Sequence, residues 1–185
     1  MIEETLADTA EKMERTLEAA KEDFATIRTG RAHPGMYSKV MVDYYGAPTP
    51  LQQLATFNVS DARTILITPF DVSALREIEK ALGDSEVGAN PSNDGKTIRV
   101  VLPQLTEERR KEYVKLARSK GEDSKVALRG HRRKAKDLMD KLVKDGEIGE
   151  DEGSRGEKDL DALTKKYVDS VDELLKKKEA ELLDV

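Results

Sequence analysis

Three long stretches of this 185-residue chain place apolar or small residues alternately four and three positions apart, a period that leaves few folds open. In the first, Met13, Leu17, Ala20, Phe24 and Ile27 follow the period, and Ile2 and Leu6 extend the row toward the start. Residues so spaced share one narrow side of an α-helix, which must be buried against a partner. The longest row is Ala117, Gly121, Ser124, Leu128, His131, Ala135, Leu138 and Leu142, within a helix predicted from Thr106 to about Lys144. About forty residues at ~1.5 Å each make a rod of about 60 Å, and its small seam residues let neighbours approach closely. The third helix, about 151 to 183, carries Leu160, Leu163, Tyr167, Val171, Leu174 and Leu182. Its Lys176-Lys177-Lys178 run suits the negative end of a helix dipole. The first helix is expected to stop near Thr29-Gly30, before Pro34, and Asp145-Gly146-Glu147-Ile148-Gly149 turns the chain back. Three such seams close on one another as a long antiparallel three-helix bundle.

Between the first two helices the pattern changes. All six Pro and half of the 12 Gly lie between residues 28 and 104. Val40, Val42 and Tyr44 alternate with Lys39, Met41 and Asp43, which reads as a strand ending at Gly46. Thr64-Ile65-Leu66-Ile67-Thr68 and Thr97-Ile98-Arg99-Val100-Val101-Leu102 are further β-rich runs. An amphipathic helix with Leu75, Ile78 and Leu82 on one face separates them, with Asp71 placed to cap it and Gly83 to stop it. The turn Asn90-Pro91-Ser92-Asn93-Asp94-Gly95 leads into the last strand. The expected fold is therefore α+β: a bundle from residues 1–29 and 105–185, with a small β/α/β domain, 30–104, inserted. Two adjacent stretches of chain enter and leave such an insertion. Here they are Thr29, Gly30, Arg31 and Ala32, and Leu102, Pro103, Gln104 and Leu105, the candidate hinge. Gly30 can take backbone angles closed to other residues, and Pro103 is confined to a narrow φ range.

Composition narrows the function. The chain is 37% hydrophobic and 37% charged, which suits long helices mostly facing water rather than one thick core. Without cysteine there is no disulfide, thiolate nucleophile or Cys-ligated metal. The acidic, amphipathic start lacks the basic and apolar regions of a signal peptide, and no apolar run approaches a membrane span, so a soluble cytoplasmic protein is expected. Catalytic patterns are missing too. His33 has no neighbouring residues suggesting a triad, and His131 sits at a seam position. Asp94-Gly95-Lys96-Thr97 lacks the upstream glycine of a phosphate loop. The acidic pairs Glu107-Glu108 and Glu150-Asp151-Glu152 begin helices, where they complement the dipole. No enzyme, metal or cofactor is expected.

The net charge of −5 hides a strong segregation. Residues 1–27 carry 3 basic and 8 acidic side chains, 28–104 carry 8 of each, 105–144 carry 14 and 7, and 145–185 carry 7 and 14. A basic helix thus lies between two acidic ones, which favours their assembly. On the basic helix, Lys125, Arg129, Arg132 and Lys136 are spaced 4, 3, 4 beside the seam, with Arg133 adjacent and Arg118 extending the row. Arginine's planar fork donates two parallel hydrogen bonds to phosphate, so a straight row of this kind can follow an RNA backbone by shape and charge. The competing expectation is a coiled-coil scaffold that binds a protein through its acidic faces. That account gives the inserted domain no job.

Several stretches together resemble the bacterial ribosome recycling factor family almost from end to end. Ile27-Arg28-Thr29-Gly30-Arg31-Ala32 is similar to its junction, and Asp43-Tyr44-Tyr45-Gly46-Ala47-Pro48-Thr49-Pro50-Leu51 to its YYG-x-x-TPL strand and turn. Asn93-Asp94-Gly95 with Ile98-Arg99-Val100 looks like the last strand of its inserted domain. Pro103-Gln104-Leu105-Thr106-Glu107-Glu108-Arg109-Arg110-Lys111 matches the start of its long helix, and Lys178-Glu179-Ala180-Glu181-Leu182 its C-terminal KEAEL. The resemblance implies an L-shaped monomer of bundle and β/α/β domain joined by a hinge. It implies that the protein occupies the space between ribosomal subunits after termination, with its bundle on large-subunit ribosomal RNA. Elongation factor G, using GTP, then acts on it and the subunits separate. The protein itself would hydrolyse nothing and hold no cofactor. Arg129, Arg132 and Arg133 fall in the family's RNA-contacting run, and the candidate RNA-binding set is Arg110, Lys125, Arg129, Arg132, Arg133 and Lys136. The chain departs from the family in having Gly130-His131 where an Asn and an aliphatic residue are usual. A mid-helix Gly costs about 1 kcal/mol relative to Ala, and a seam histidine needs a hydrogen-bond partner, so local softening is expected.

Overall fold

The computed structural model describes residues 1–85 and 90–184. In chain order the elements are α1 (Ile2–Thr26), β1 (Met41–Tyr44), β2 (Ala47–Pro50), β3 (Ala55–Asp61), β4 (Thr64–Pro69), α2 (Leu75–Gly83), β5 (Ser92–Asn93), β6 (Ile98–Val101), α3 (Glu107–Lys144) and α4 (Glu150–Leu183). The architecture is α+β, long helices with a small sheet domain. The chain divides into two compact units, Met1–Phe24 with Leu116–Lys178, and Ala25–Lys115 with Glu179–Val185.

The helical unit is built on the predicted seams. Met13, Leu17, Leu128, Tyr167 and Val171 are buried together, and Leu163, Val168 and Leu174 pack around them. A second cluster joins Ala135, Met139 and Leu160, with Ile2 and Leu6 against it. Small residues permit this closeness at the start of α4. A Cβ on Gly156 would come within 3.0 Å of Ile2 Cγ2 and 3.3 Å of Met139 Sδ, and one on Gly153 within 2.6 Å of Val143 Cγ2. Turning from α3 to α4, Gly146 takes a φ of 73°, and its amide bonds the Val143 carbonyl at 3.1 Å.

Two details differ from expectation. Leu138 is 48% exposed and Met139 takes its place in the seam. A straight helix with 3.6 residues per turn drifts by about 20° per seven residues, so over several repeats the buried stripe slides onto the neighbouring position. As predicted, α3 is one helix through Gly130 and His131, and the His131 imidazole finds a partner in Thr16 of α1, which meets Nε2 at 3.1 Å. Secondly, α1 ends at Thr26 rather than near Gly30. Ile27 is buried beyond the helix, the Arg28 guanidinium reaches the Pro103 carbonyl, and Thr29 forms its own turn by accepting the Arg31 amide at 3.3 Å.

The second unit has its own core. Strands β3, β4, β6 and β5 form an antiparallel sheet in that order. Ile65 and Ile67 of β4 and Ile98 and Val100 of β6 point inward, where they join Ile78 and Leu82 of α2 together with Tyr37, Val42 and Leu51. Asp71 caps as expected, but one step earlier: it accepts the Ser73 amide at 3.0 Å and so starts a 3-10 turn that runs into α2. The β1–β2 hairpin turns through Tyr45 and Gly46, with φ of 50° and 82°, the left-handed pair that matches strand twist. Both crossing stretches attach to the β3–β4 turn, since the Ala32 amide bonds the Ala62 carbonyl and the Leu102 amide the Arg63 carbonyl, each at 2.7 Å.

Candidate nucleic-acid interface

Five of the six candidate RNA-binding residues lie on the part of α3 that belongs to the helical unit. Arg110 lies in the other unit, where its Nη1 donates to the Asp184 carbonyl at 3.3 Å. Leu128 and Ala135, fully or almost fully buried, fix the rotation of α3, so the row at 125, 129, 132 and 136 runs along its edge beside the seam.

The row is not uniformly free. Lys125 pairs with Asp172 of α4 and keeps only 18% of its side chain exposed. Arg132 donates from Nε to Asp161 Oδ1 at 2.7 Å. Lys136 bonds Asp140 on its own helix at 2.7 Å and lies 3.6 Å from Glu157 of α4. The Asp140 hydrogen bond, with Glu157 adding to it, holds the Lys136 ammonium above its ordinary pKa. As the numbering rises along α3 the acidic partners step back along α4, 172 to 161 to 157, as an antiparallel pair requires. Arg129 turns outward with 54% of its side chain exposed, its Nη1 3.4 Å from Glu122. Arg133 is exposed and has no ion-pair partner among the described residues. The edge thus presents two outward guanidiniums, Arg129 and Arg133, and a third, Arg132, fastened at its base. Such a strip suits an anionic polymer.

The histidines have structural posts. His33 Nδ1 accepts the Gly35 amide at 2.9 Å and caps the turn Pro34–Tyr37. Among the described residues no three His, Asp or Glu side chains converge to hold a metal, and no helix is long and apolar enough to cross a membrane.

Two features escaped the sequence argument. One is the acidic row of α4, Glu157, Asp161 and Asp172, whose spacings of 4 and 11 are whole helical turns and were a legible signal. The other is an exposed apolar group in the sheet unit: Tyr45 at 80%, Phe70 at 68% and Val72 at 60%. Asp71 organises it, its Oδ2 accepting from Tyr44 at 2.9 Å and Tyr45 at 3.3 Å, while Tyr45 Oη meets Ser73 Oγ at 3.0 Å. Hydrogen bonds from Ser73 and then Tyr44 hold the Asp71 carboxyl below its ordinary pKa.

Long helices, one of them with a basic edge, and a small antiparallel sheet with its own core define an α+β protein. The chain belongs to the ribosome recycling factor family, whose model, "Ribosome recycling factor", matches residues 20–183. The ribosome-recycling factor of Paenarthrobacter aurescens is 72% identical over 185 residues, and that of Streptomyces avermitilis 65%, each match covering the whole of both chains. A solution structure of the ribosome recycling factor superposes with a TM-score of 0.80 at 37% identity, covering 100% of this chain and 98% of that one. A second solved assembly, "Models for the T. thermophilus ribosome recycling factor and the E. coli elongation factor G bound to the E. coli post-termination complex", matches with a TM-score of 0.71 at 41% identity. There the match covers 100% of both chains.

Proposed function

We propose that this protein recycles ribosomes: it binds the post-termination ribosome through the α3 edge, and elongation factor G with GTP then drives the subunits apart. The partners follow from the full-length likeness to a recycling factor seen with elongation factor G on a post-termination complex. The single observation that carries the binding mode is the α3 edge, with Arg129 and Arg133 outward and the terminal nitrogens of Arg132 unspent. Large-subunit ribosomal RNA is the surface it meets, and Lys125 and Lys136 add positive potential while pairing with α4. Arg110, on the part of α3 that belongs to the other unit, is a further candidate RNA contact. The protein acts as a cytoplasmic monomer, binds no cofactor and catalyses no reaction of its own.

The domains in this reading are the bundle of residues 1–29 and 105–185 and the insertion 30–104. They are joined by a hinge at Thr29, Gly30, Arg31 and Ala32 and at Leu102, Pro103, Gln104 and Leu105. These stretches lie outside the helices and strands, which is where hinges absorb backbone rotation.

Sedimentation with large subunits across a salt series tests the binding mode. Arg132→Ala is expected to weaken binding about tenfold and lower the salt slope by about one. Its melting temperature should stay close to the parent's, because exposed ion pairs contribute little stability. Binding that ignores both salt and Arg132 would exclude the RNA contact.

A further inference from the structure

We propose that Asp161 of α4 is a positioning residue for Arg132: it grips the guanidinium at Nε so that both terminal nitrogens face an RNA phosphate. The inference rests on reading the α3 edge as the RNA-binding surface.

A guanidinium carries five N–H donors, and the bond from Nε to Asp161 Oδ1 at 2.7 Å uses one of them. The four donors on Nη1 and Nη2 meet no acceptor among the described residues, and they form the fork that a phosphate accepts in parallel. The other cations of the edge are held differently. Arg129 touches Glu122 through a terminal nitrogen at 3.4 Å, so its own acid partner occupies part of the fork. Lys125 and Lys136 pair through their single ammonium nitrogens, and an ammonium presents no plane to orient. Among Lys125, Arg129, Arg132 and Lys136, Arg132 alone is fastened at the root with its fork left open. The backbone that carries the anchor is held in place, because Leu160, the residue before Asp161, is fully buried against Ala135 and Met139 of α3. Both side chains remain partly exposed, 35% for Arg132 and 53% for Asp161, so a ligand reaches the pair without unfolding it. Fixing the fork before binding removes rotamer freedom that an unanchored arginine loses on contact.

Charge alone makes the opposite prediction, and this gives a clean test. A carboxylate beside the binding edge repels RNA, so its removal strengthens binding if Asp161 is only a counter-ion. Asp161→Asn and Asp161→Ala each remove the same charge, but Asn keeps an oxygen that accepts from Nε and Ala does not. Binding to large subunits and to a homopolymer RNA, poly(U), is measured at one salt concentration, alongside melting temperature. Both variants are expected to hold poly(U) more tightly than the parent. On large subunits Asp161→Asn should equal or exceed the parent, whereas Asp161→Ala falls about tenfold below Asp161→Asn at matched melting temperature. Equal binding of the two variants to large subunits would overturn the positioning role and leave the RNA-binding edge standing. An Arg132→Ala variant that binds large subunits like the parent would overturn the edge itself, and the positioning role with it.

Discussion

At position 131 the chain puts an imidazole into a helix seam, where burial, then Lys12 of α1 and Lys134 of α3, hold its pKa below the ordinary value. With the Thr16 hydroxyl donating to the Lys12 carbonyl at 3.1 Å, its oxygen accepts from Nε2–H of the neutral ring, so a proton added on acidification goes to Nδ1. The unfolded chain takes up that proton first as pH falls. The stabilisation is therefore complete above the unfolded pKa and is lost as pH falls through the lower folded one. Urea unfolding at about pH 7.5 and about pH 5.5, either side of the ordinary histidine range, should show the parent losing more stability than His131→Gln. Identical losses would mean that the ring titrates as freely folded as unfolded. Residue positions of this kind were legible in the sequence and their partners were not. The seam period placed His131 against a neighbour, but the hydrogen bond to Thr16 spans 115 positions and leaves no local trace. The same holds at the α3 edge. Helical spacing aligned Lys125, Arg129, Arg132 and Lys136, while the α4 acids that restrain three of them come from a helix more than twenty positions away.

At the scale of elements, the long helices were legible because their periods persist over many turns, whereas two strands were hidden for identifiable reasons and a third was legible and passed over. Strand β2 reads Ala47-Pro48-Thr49-Pro50, and proline is normally evidence against a ladder; here it lies in a two-stranded hairpin. Strand β5 has only two residues. Strand β3 alternates Ala55, Phe57 and Val59 with Thr56, Asn58 and Ser60, a period-2 signal that the reading of the sequence did not use. The close approach at the start of α4 was equally unreadable, since a glycine in a helical pattern shows neither what lies opposite nor how near. Gly156 is the sharp case. A side chain there meets Ile2 and the 1%-exposed Met139, so Gly156→Val is expected to cost about 1–3 kcal/mol despite valine's better helix propensity. For a chain of this size that lowers the melting temperature by about 2–4 °C per kcal/mol, which calorimetry resolves. A melting temperature at or above the parent's would show that the bundle has room at this point.

Across the whole molecule, the switch from a helical period to alternation and back marked a β-rich stretch between helices, and segregated charge marked α3 as the basic helix. The switch could not show how the crossing stretches are held. The amides of Ala32 and Leu102 are tied to the β3–β4 turn, and the Arg28 guanidinium reaches across to the Pro103 carbonyl. Bending in the proposed hinge therefore falls on Thr29, Gly30 and Arg31 and on Pro103, Gln104 and Leu105. Gly30 does not use a left-handed backbone here, and an added Cβ would come no nearer than 4.0 Å to the Asp184 carbonyl oxygen, so a larger residue fits the observed conformation. What valine removes is access to the others.

In the proposed mechanism binding and splitting are separate tasks, the first belonging to the α3 edge and the second to the hinge. The most direct test is to follow light scattering of post-termination ribosomes after adding elongation factor G, GTP and Gly30→Val protein, with pelleting on large subunits measured for the same preparation. Gly30→Val is expected to pellet like the parent while the scattering loss slows markedly. Parallel losses in both assays, or splitting at the parent's rate, would contradict that mechanism.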